Sequence, residues 1–216
     1  MTETDHYSLA RAQKYHAHHR ASLRTRLTDR REQDCLTRAL IDAGSPESML
    51  DLPCGTGRFW PAAARAGVCN LIAADGSPGM LEVAAANRLN ATIPRQLLET
   101  SAFAINLPDK CVDVAACLRF YHHLAMPEDR SGLLRELIRV SRQHLIISLW
   151  VDGNYAGNRR MRKPAKPPVP GYGPRICRHR GEVAAEFVDA GCRIIRHYDV
   201  WPGLYMWRFY LLEVAA

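Results

Sequence analysis

The stretch that decides the fold is Ser48-Met-Leu-Asp-Leu-Pro-Cys-Gly-Thr-Gly-Arg-Phe-Trp60. It begins as a short apolar strand, turns through Gly55 and Gly57, and continues into a helix that Gly67 ends. The two glycines allow a tight turn whose bare backbone can lie against a ligand, with the start of the helix pointing at that ligand. In a parallel sheet this position lies outside the carboxyl ends of the strands, where ligands bind.

Strands and helices alternate along the rest of the chain. Further strands are predicted at 71–75, 96–101, 112–118, 144–150, 194–201 and 205–214. Because the link between the last two is too short for a parallel crossover, we expect these two to pair antiparallel. The pattern predicts an α/β fold, a Rossmann-like three-layer sandwich whose sheet has about seven mostly parallel strands and an antiparallel C-terminal pair.

The chain divides into two predicted parts. Residues 1–45 are predicted to form an N-terminal helical cap, a helix from residue 8 to 43 that breaks once and presents apolar residues including Leu36 and Leu40 at helical spacing. Residues 46–216 form the main domain. Its segment 152–180, rich in Pro, Gly and basic residues, is predicted to be a lid or an irregular connection.

The net charge of +7 is concentrated in segment 152–180, where eight basic residues face one acid, Asp152. This favours an anionic substrate or ligand, although a solvated loop is the plain alternative. Nucleic acid is possible but not favoured, because no RNA-binding module is present and few aromatic residues interleave with the basic ones.

Composition limits the class of protein further. The seven cysteines are odd in number and form no Cys-x-x-Cys pair, so neither a disulfide framework nor a thiolate zinc site is predicted. His16, His18 and His19 have no carboxylate or cysteine to complete a ligand set, so no metal is expected. With no signal peptide and no apolar run long enough for a transmembrane segment, the sequence predicts a cytoplasmic protein. It says nothing of a protein partner.

Two acidic residues narrow the choice of cofactor. Asp51 ends the first strand, and Asp75 ends the second, where its carboxylate can accept both hydroxyls of a ribose. A dinucleotide motif requires a third glycine where Trp60 stands, and a P-loop requires Lys and then Ser or Thr after its last glycine. An acid at Asp51 suits a ligand carrying an ammonium and a sulfonium better than a pyrophosphate.

The segments 48–59, 72–81, 107–114 and 121–124, in this order and spacing, resemble the consecutive motifs of class I S-adenosylmethionine (SAM)-dependent methyltransferases. More narrowly, they resemble the branch with small-molecule and quinone-type substrates. The resemblance implies that SAM is the cofactor and that its site includes Asp51, Pro53, Gly55, Gly57, Asp75, Met80, Ser101, Ala102, Leu118 and Arg24. Within that set, the resemblance implies that Asp51, Gly55 and Gly57 hold the methionine end of SAM. Asp75 holds the ribose, and Met80 flanks the adenine.

The acceptor side is predicted more coarsely. His122 and His123 follow the fourth strand, where they either serve as a general base or only shape the pocket. Substrate binding is assigned to Tyr121, Arg159, Arg160 and Arg162. The implied acceptor is an anionic small molecule or a phosphate-bearing envelope glycolipid.

Two departures from the family pattern support an alternative. Pro53 replaces the first loop glycine, and Ser101 replaces the acid near the adenine amino group. These favour a non-catalytic or regulatory binding protein on the same fold, responding to a phosphate ligand such as a cyclic dinucleotide. A nucleic-acid methyltransferase is a third, weaker alternative.

Overall fold

A computed structural model describes residues 22–86, 93, 95–162 and 175–215. Within these ranges one seven-stranded sheet is covered by helices on both faces. The strands are β1 Ser48–Asp51, β2 Asn70–Asp75, β3 Arg95–Glu99, β4 Val112–Leu118, β5 Ser141–Trp150, β6 Cys192–Asp199 and β7 Trp207–Val214. The helices are α1 Leu23–Asp42, α2 Trp60–Arg65, α3 Pro78–Ala86, α4 Pro127–Val140, α5 Tyr155–Met161 and α6 Arg180–Asp189, with a 3-10 turn at Tyr121–His123.

The strand order is β3-β2-β1-β4-β5-β7-β6. Strands β1 to β5 pair in parallel, whereas β7 runs antiparallel between β5 and β6. The predicted three-layer α/β fold with an antiparallel C-terminal pair is confirmed. The strand order reverses at β1. The chain that follows β1 leads to a helix on one face of the sheet, and the chain that follows β4 leads to a helix on the other face. In such sheets the ligand-binding crevice lies between the carboxyl ends of these two strands.

Both faces of the central strands are buried. In β4, Val114 and Ala116 pack in the core layer that includes residues of α1 and α2. Ala115 and Cys117 point the other way, into the layer formed with α4 and α6. This alternation explains why β4 is apolar from Val114 to Leu118. Its predicted bounds agree with the observed ones.

Three sequence predictions need correction. The strand predicted at 144–150 begins earlier, at Ser141, because the chain enters β5 directly from the end of α4 at Val140. The lid is not irregular throughout: Asn154 caps α5 by accepting a hydrogen bond from the Gly157 N–H at 2.7 Å. In α1 the apolar stripe is buried only in its C-terminal half, while Leu23 is exposed. The N-terminal part of the predicted cap lies outside the described residues.

Candidate functional site

The glycine loop lies at the carboxyl ends of β1 and β2, held by a carboxylate. Asp75 accepts hydrogen bonds from the N–H of Gly55 at 2.8 Å and of Ser77 at 2.9 Å. Gly55 and Gly57 have φ angles of +55° and +71°, in the left-handed region that favours glycine. A Cβ built at Gly55 would meet no atom within 4 Å. The loop therefore presents open backbone beside Asp75.

Asp51 lies next to this loop and is almost fully buried. Its Oδ2 accepts a hydrogen bond from the Trp60 indole N–H at 3.0 Å. Burial raises the pKa of Asp51 to about 7, the indole hydrogen bond opposes the rise, and the Asp75 charge adds to it. Burial likewise raises the pKa of Asp75 to about 6 against its two backbone hydrogen bonds. Two buried carboxylates at the carboxyl ends of neighbouring strands favour a cationic ligand.

These residues fit SAM. Each carboxylate oxygen can accept two hydrogen bonds, so Asp75 can hold both loop amides and still accept two ribose hydroxyls. Met80 and Leu118 are buried nearby on α3 and at the end of β4. When bound, SAM supplies a methyl group already activated on a sulfonium.

The positions of the remaining predicted cofactor residues give weaker support for a cofactor site. Pro53 follows a cis peptide bond, and the next residue, Cys54, donates its N–H to the carbonyl of Ala74 at 2.8 Å. Ser101 is exposed, and its hydroxyl accepts a hydrogen bond from the Phe103 N–H. Ala102 is half-buried. The side chain of Arg24 lies outside the described part of the chain.

Sequence reasoning missed a buried ion-pair network beside the loop. Glu32 on α1 is 1% exposed and forms ion pairs with Arg58, directly after Gly57, and with Arg119, directly after β4, the latter at 2.8 Å. The Arg119 guanidinium also lies over the Trp207 ring, 4.5 Å from its centroid. This network joins α1 to the glycine loop and to the end of β4.

An aromatic cluster forms the acceptor side of the same edge. The His122 ring stacks on Trp150 with centroids 5.0 Å apart, and contacts Trp207 edge-on at 4.8 Å. Burial lowers the pKa of His122 well below its usual range, and the neighbouring cations lower it further. Within the described ranges, His122 Nδ1 and Trp150 Nε1 are buried atoms without a hydrogen-bond partner. Buried groups of this kind are what a bound ligand or water satisfies.

The 3-10 turn that carries His122 is held in place by a buried tyrosine of the same turn. Tyr121 is fully buried, and its hydroxyl donates to Glu186 at 2.8 Å. Glu186 also pairs with Arg130 and Arg178. Tyr121 thus supports the turn from inside the core, while His123 is half-buried with its ring 4.0 Å from that of His122.

The basic segment flanks this turn. The Ile176 N–H donates to the His122 carbonyl at 2.9 Å, and the Arg178 N–H to the Trp150 carbonyl at 3.0 Å. Arg159 and Arg162 are exposed, and Arg160 donates to the Arg175 carbonyl. The Arg178 side chain is largely buried and pairs with Glu186. The segment therefore presents less unpaired positive charge than its composition implies.

No helix in the described ranges is long and apolar enough to cross a membrane. Among the same residues, no group of three or more His, Cys, Asp or Glu side chains lies close enough to hold a metal ion.

The sheet order, the glycine loop and the two acidic strand ends agree with the arrangement expected of a class I SAM-dependent methyltransferase. Residues 50–147, 98 of the 216 residues, match the family model described as a methyltransferase domain, which supports the class I SAM-dependent family and SAM as its cofactor. The narrower quinone-type branch stays a prediction. No curated protein matches the chain.

Several solved structures share the fold. Magnesium protoporphyrin IX methyltransferase from Synechocystis PCC 6803 with bound S-adenosylhomocysteine (SAH) is 17% identical, with a TM-score of 0.67 over 90% of this chain and 88% of that one. A SAM-dependent methyltransferase from Clostridium acetobutylicum is 12% identical, with a TM-score of 0.73 over 94% and 99%. One from Aquifex aeolicus is 21% identical, with a TM-score of 0.65 over 96% and 100%. At these identities the likeness is one of fold.

Proposed function

We propose that this protein transfers the methyl group of SAM to an anionic small molecule or a phosphate-bearing envelope glycolipid. The observation that carries the proposal is the Asp75 carboxylate, which holds the Gly55 amide and keeps acceptor capacity toward the open face of the loop. Asp75 binds the ribose, and Asp51 with the glycine loop holds the methionine end. Met80 flanks the adenine, Ser101 and Ala102 meet its edge, and Leu118 lies beneath the cofactor.

The anionic acceptor is inferred from the basic segment beside His122. Arg159 and Arg162 are exposed on and just after α5, and Arg160 lies beside them. Arginine binds phosphate and carboxylate in bidentate geometry, which suits an anionic group held at the rim of a site. The half-buried Trp150 ring, backed by Trp207, offers an apolar surface for the rest of the acceptor.

His122 is proposed as the residue that accepts a proton from the acceptor during transfer. Its lowered pKa keeps the imidazole neutral at physiological pH, which is the form that can take a proton. Its Nδ1 has no hydrogen-bond partner among the described residues, so it is available to a ligand atom. The rest of the task is alignment in a dry pocket, because SAM carries its own leaving group.

The direct test is ligand-induced stabilisation. We expect SAM and SAH to raise the melting temperature by roughly 5–10 °C, because saturation at about 100 times the dissociation constant adds about 2.7 kcal/mol of stability. Differential scanning fluorimetry with SAM, SAH and NAD measures this. A shift with NAD alone, or none with any ligand at millimolar concentration, contradicts the proposal.

A kinetic comparison separates acceptor binding by the arginines from proton acceptance by His122. Once labelled SAM and cell extract have identified an acceptor, reversal of Arg159, Arg160 and Arg162 to Glu should raise the KM for that acceptor by about 100-fold, since each exposed contact contributes about 1 kcal/mol. His122→Asn should instead lower kcat by about 100-fold or more. The affinity for SAM should stay within a few-fold in both. Full activity of the triple variant at low salt contradicts the anionic acceptor, and unchanged kcat contradicts the base.

A regulatory binding protein is the second candidate. It is favoured by Pro53 in place of a loop glycine and by Ser101, whose hydroxyl is already engaged with the Phe103 N–H. In the same experiments this candidate predicts stabilisation by SAM or by a phosphate ligand such as a cyclic dinucleotide, without transfer of label to any acceptor in the extract.

A further inference from the structure

We propose that Trp60 is a positioning residue, which orients the Asp51 carboxylate toward the cationic amino group of the cofactor and limits the loss of cofactor affinity on acidification. The inference rests on the proposed function, since it concerns the methionine end of the same site. Trp60 stands where a dinucleotide-binding motif has its third glycine, so its side chain fills a position next to the loop.

The geometry supports an orienting role. The indole N–H lies 3.0 Å from Asp51 Oδ2, and both side chains are essentially inaccessible to solvent. The indole hydrogen bond fixes Oδ2, so Oδ1 is the oxygen that can turn toward a ligand. Because Trp60 is the first residue of α2, the helix that follows the loop sets the direction of the carboxylate.

The charges around Asp51 leave a place for a cation. The groups that face it are Asp75 on β2, Cys54 in the loop and Cys117 on β4. Burial raises the pKa of both thiols, so they are neutral at physiological pH. No cationic side chain in the described ranges forms an ion pair with Asp51, and an ionised buried carboxylate without a cation is costly. A bound ammonium group supplies the missing charge.

This arrangement predicts a pH dependence with a definite sign. In the free protein the pKa of Asp51 is about 7, so acidification below pH 7 protonates the group that the ammonium requires. The amino group of SAH stays protonated over the same range. The affinity for SAH should therefore fall by up to about tenfold per pH unit as the pH drops below 7.

The experiment compares two ligands in one variant. Trp60→Phe keeps an aromatic ring next to Arg95, whose guanidinium lies 5.0 Å from the indole centroid, but removes the N–H donor. SAH carries the amino group, whereas 5′-methylthioadenosine has the same nucleoside without it. By calorimetry at pH 7.5, we expect Trp60→Phe to weaken SAH binding by about tenfold and to leave methylthioadenosine within about twofold, because a hydrogen bond to a charged group is lost.

The pH profile provides a readout that a purely structural role would not move. The indole hydrogen bond lowers the pKa of Asp51, so its loss should shift the midpoint of the SAH affinity profile to higher pH. Asp51→Asn keeps an oxygen for the indole, and should weaken SAH at pH 7.5 and flatten its profile below that. Equal loss of both ligands in Trp60→Phe, or no loss of SAH in either variant, overturns the inference. If the unmodified protein binds neither ligand, the proposed function itself fails.

Discussion

Glu32→Ala is expected to lower the free energy of unfolding by about 3 kcal/mol, because removing one partner of a buried ion pair leaves charge behind in a poorly solvated place. Glu32 is 1% exposed, and the Arg58 and Arg119 side chains that contact it are 12% and 24% exposed. Asp29 still contacts Arg58 at 3.1 Å, which limits the loss. For a chain of this length the melting temperature should fall by roughly 10 °C.

An exposed ion pair of the same residue types provides the control. Glu213 pairs with Arg193 across β6 and β7, and both side chains are largely exposed, at 42% and 70%. Glu213→Ala should change stability by less than about 1 kcal/mol, since solvent screens such pairs. Chemical denaturation of both variants measures the difference. Equal effects would show that burial does not set the contribution of Glu32, and that the network is an incidental contact.

The core of the site could be predicted because its signals are local. Asp51, Gly55 and Gly57 lie within seven consecutive residues, and Asp75 ends the next strand. In a parallel sheet, consecutive strands of this kind end at the same edge. The pairing of β1 with β2 brings these residues together as expected.

The Glu32 network could not be predicted in full, because it joins residues on three separate elements. One signal was nevertheless present: Glu32 precedes Cys35, Leu36 and Leu40 at helical spacing, which places it on the buried stripe of α1. An acid on such a stripe needs a partner. The sequence does not identify that partner, since both arginines come from loops whose positions depend on the folded sheet.

The aromatic cluster depends on strand register. Trp150 and Trp207 are directly opposite residues in the antiparallel pair of β5 and β7. The antiparallel direction was predicted for the last two strands only, and the insertion of β7 between β5 and β6 was not. Trp60, whose bulk excludes a dinucleotide motif, also donates its indole N–H to Asp51. Such pairings arise from tertiary structure and leave no periodic signal.

Asp75→Ala is expected to weaken SAM binding by about 2–4 kcal/mol, or roughly 30- to 1000-fold. The substitution removes the acceptor for two ribose hydroxyls. It also removes the acceptor for the N–H of Gly55 and of Ser77, so the loop loses the carboxylate that holds it against β2. Both losses act on the cofactor site, and calorimetry with SAM at pH 7.5 measures their sum.

The fold of the Asp75 variant should survive, because two effects on stability oppose each other. The lost hydrogen bonds destabilise, but the buried carboxylate is itself unfavourable when ionised. Its folded pKa of about 6 exceeds the unfolded value of 3.8, so its favourable contribution to stability is present at acidic pH and is lost as the pH rises from about 4 to 6. The cost of Asp75→Ala to the ligand-free protein should therefore be smaller at pH 7.5 than at pH 4, which thermal denaturation at both pH values measures.

Asp113→Ala is the matched control for SAM binding. Its carboxylate also accepts a backbone hydrogen bond, from the Ser48 N–H at 2.9 Å, and pairs with Arg142, but near the start of β4 at the opposite edge of the sheet. Removal of this acid should leave SAM affinity unchanged, because the cofactor contacts only the carboxyl edge. If SAM binds equally well to Asp75→Ala and Asp113→Ala, the cofactor does not lie against the end of β2. Loss confined to Asp75→Ala ties the ribose to that strand end.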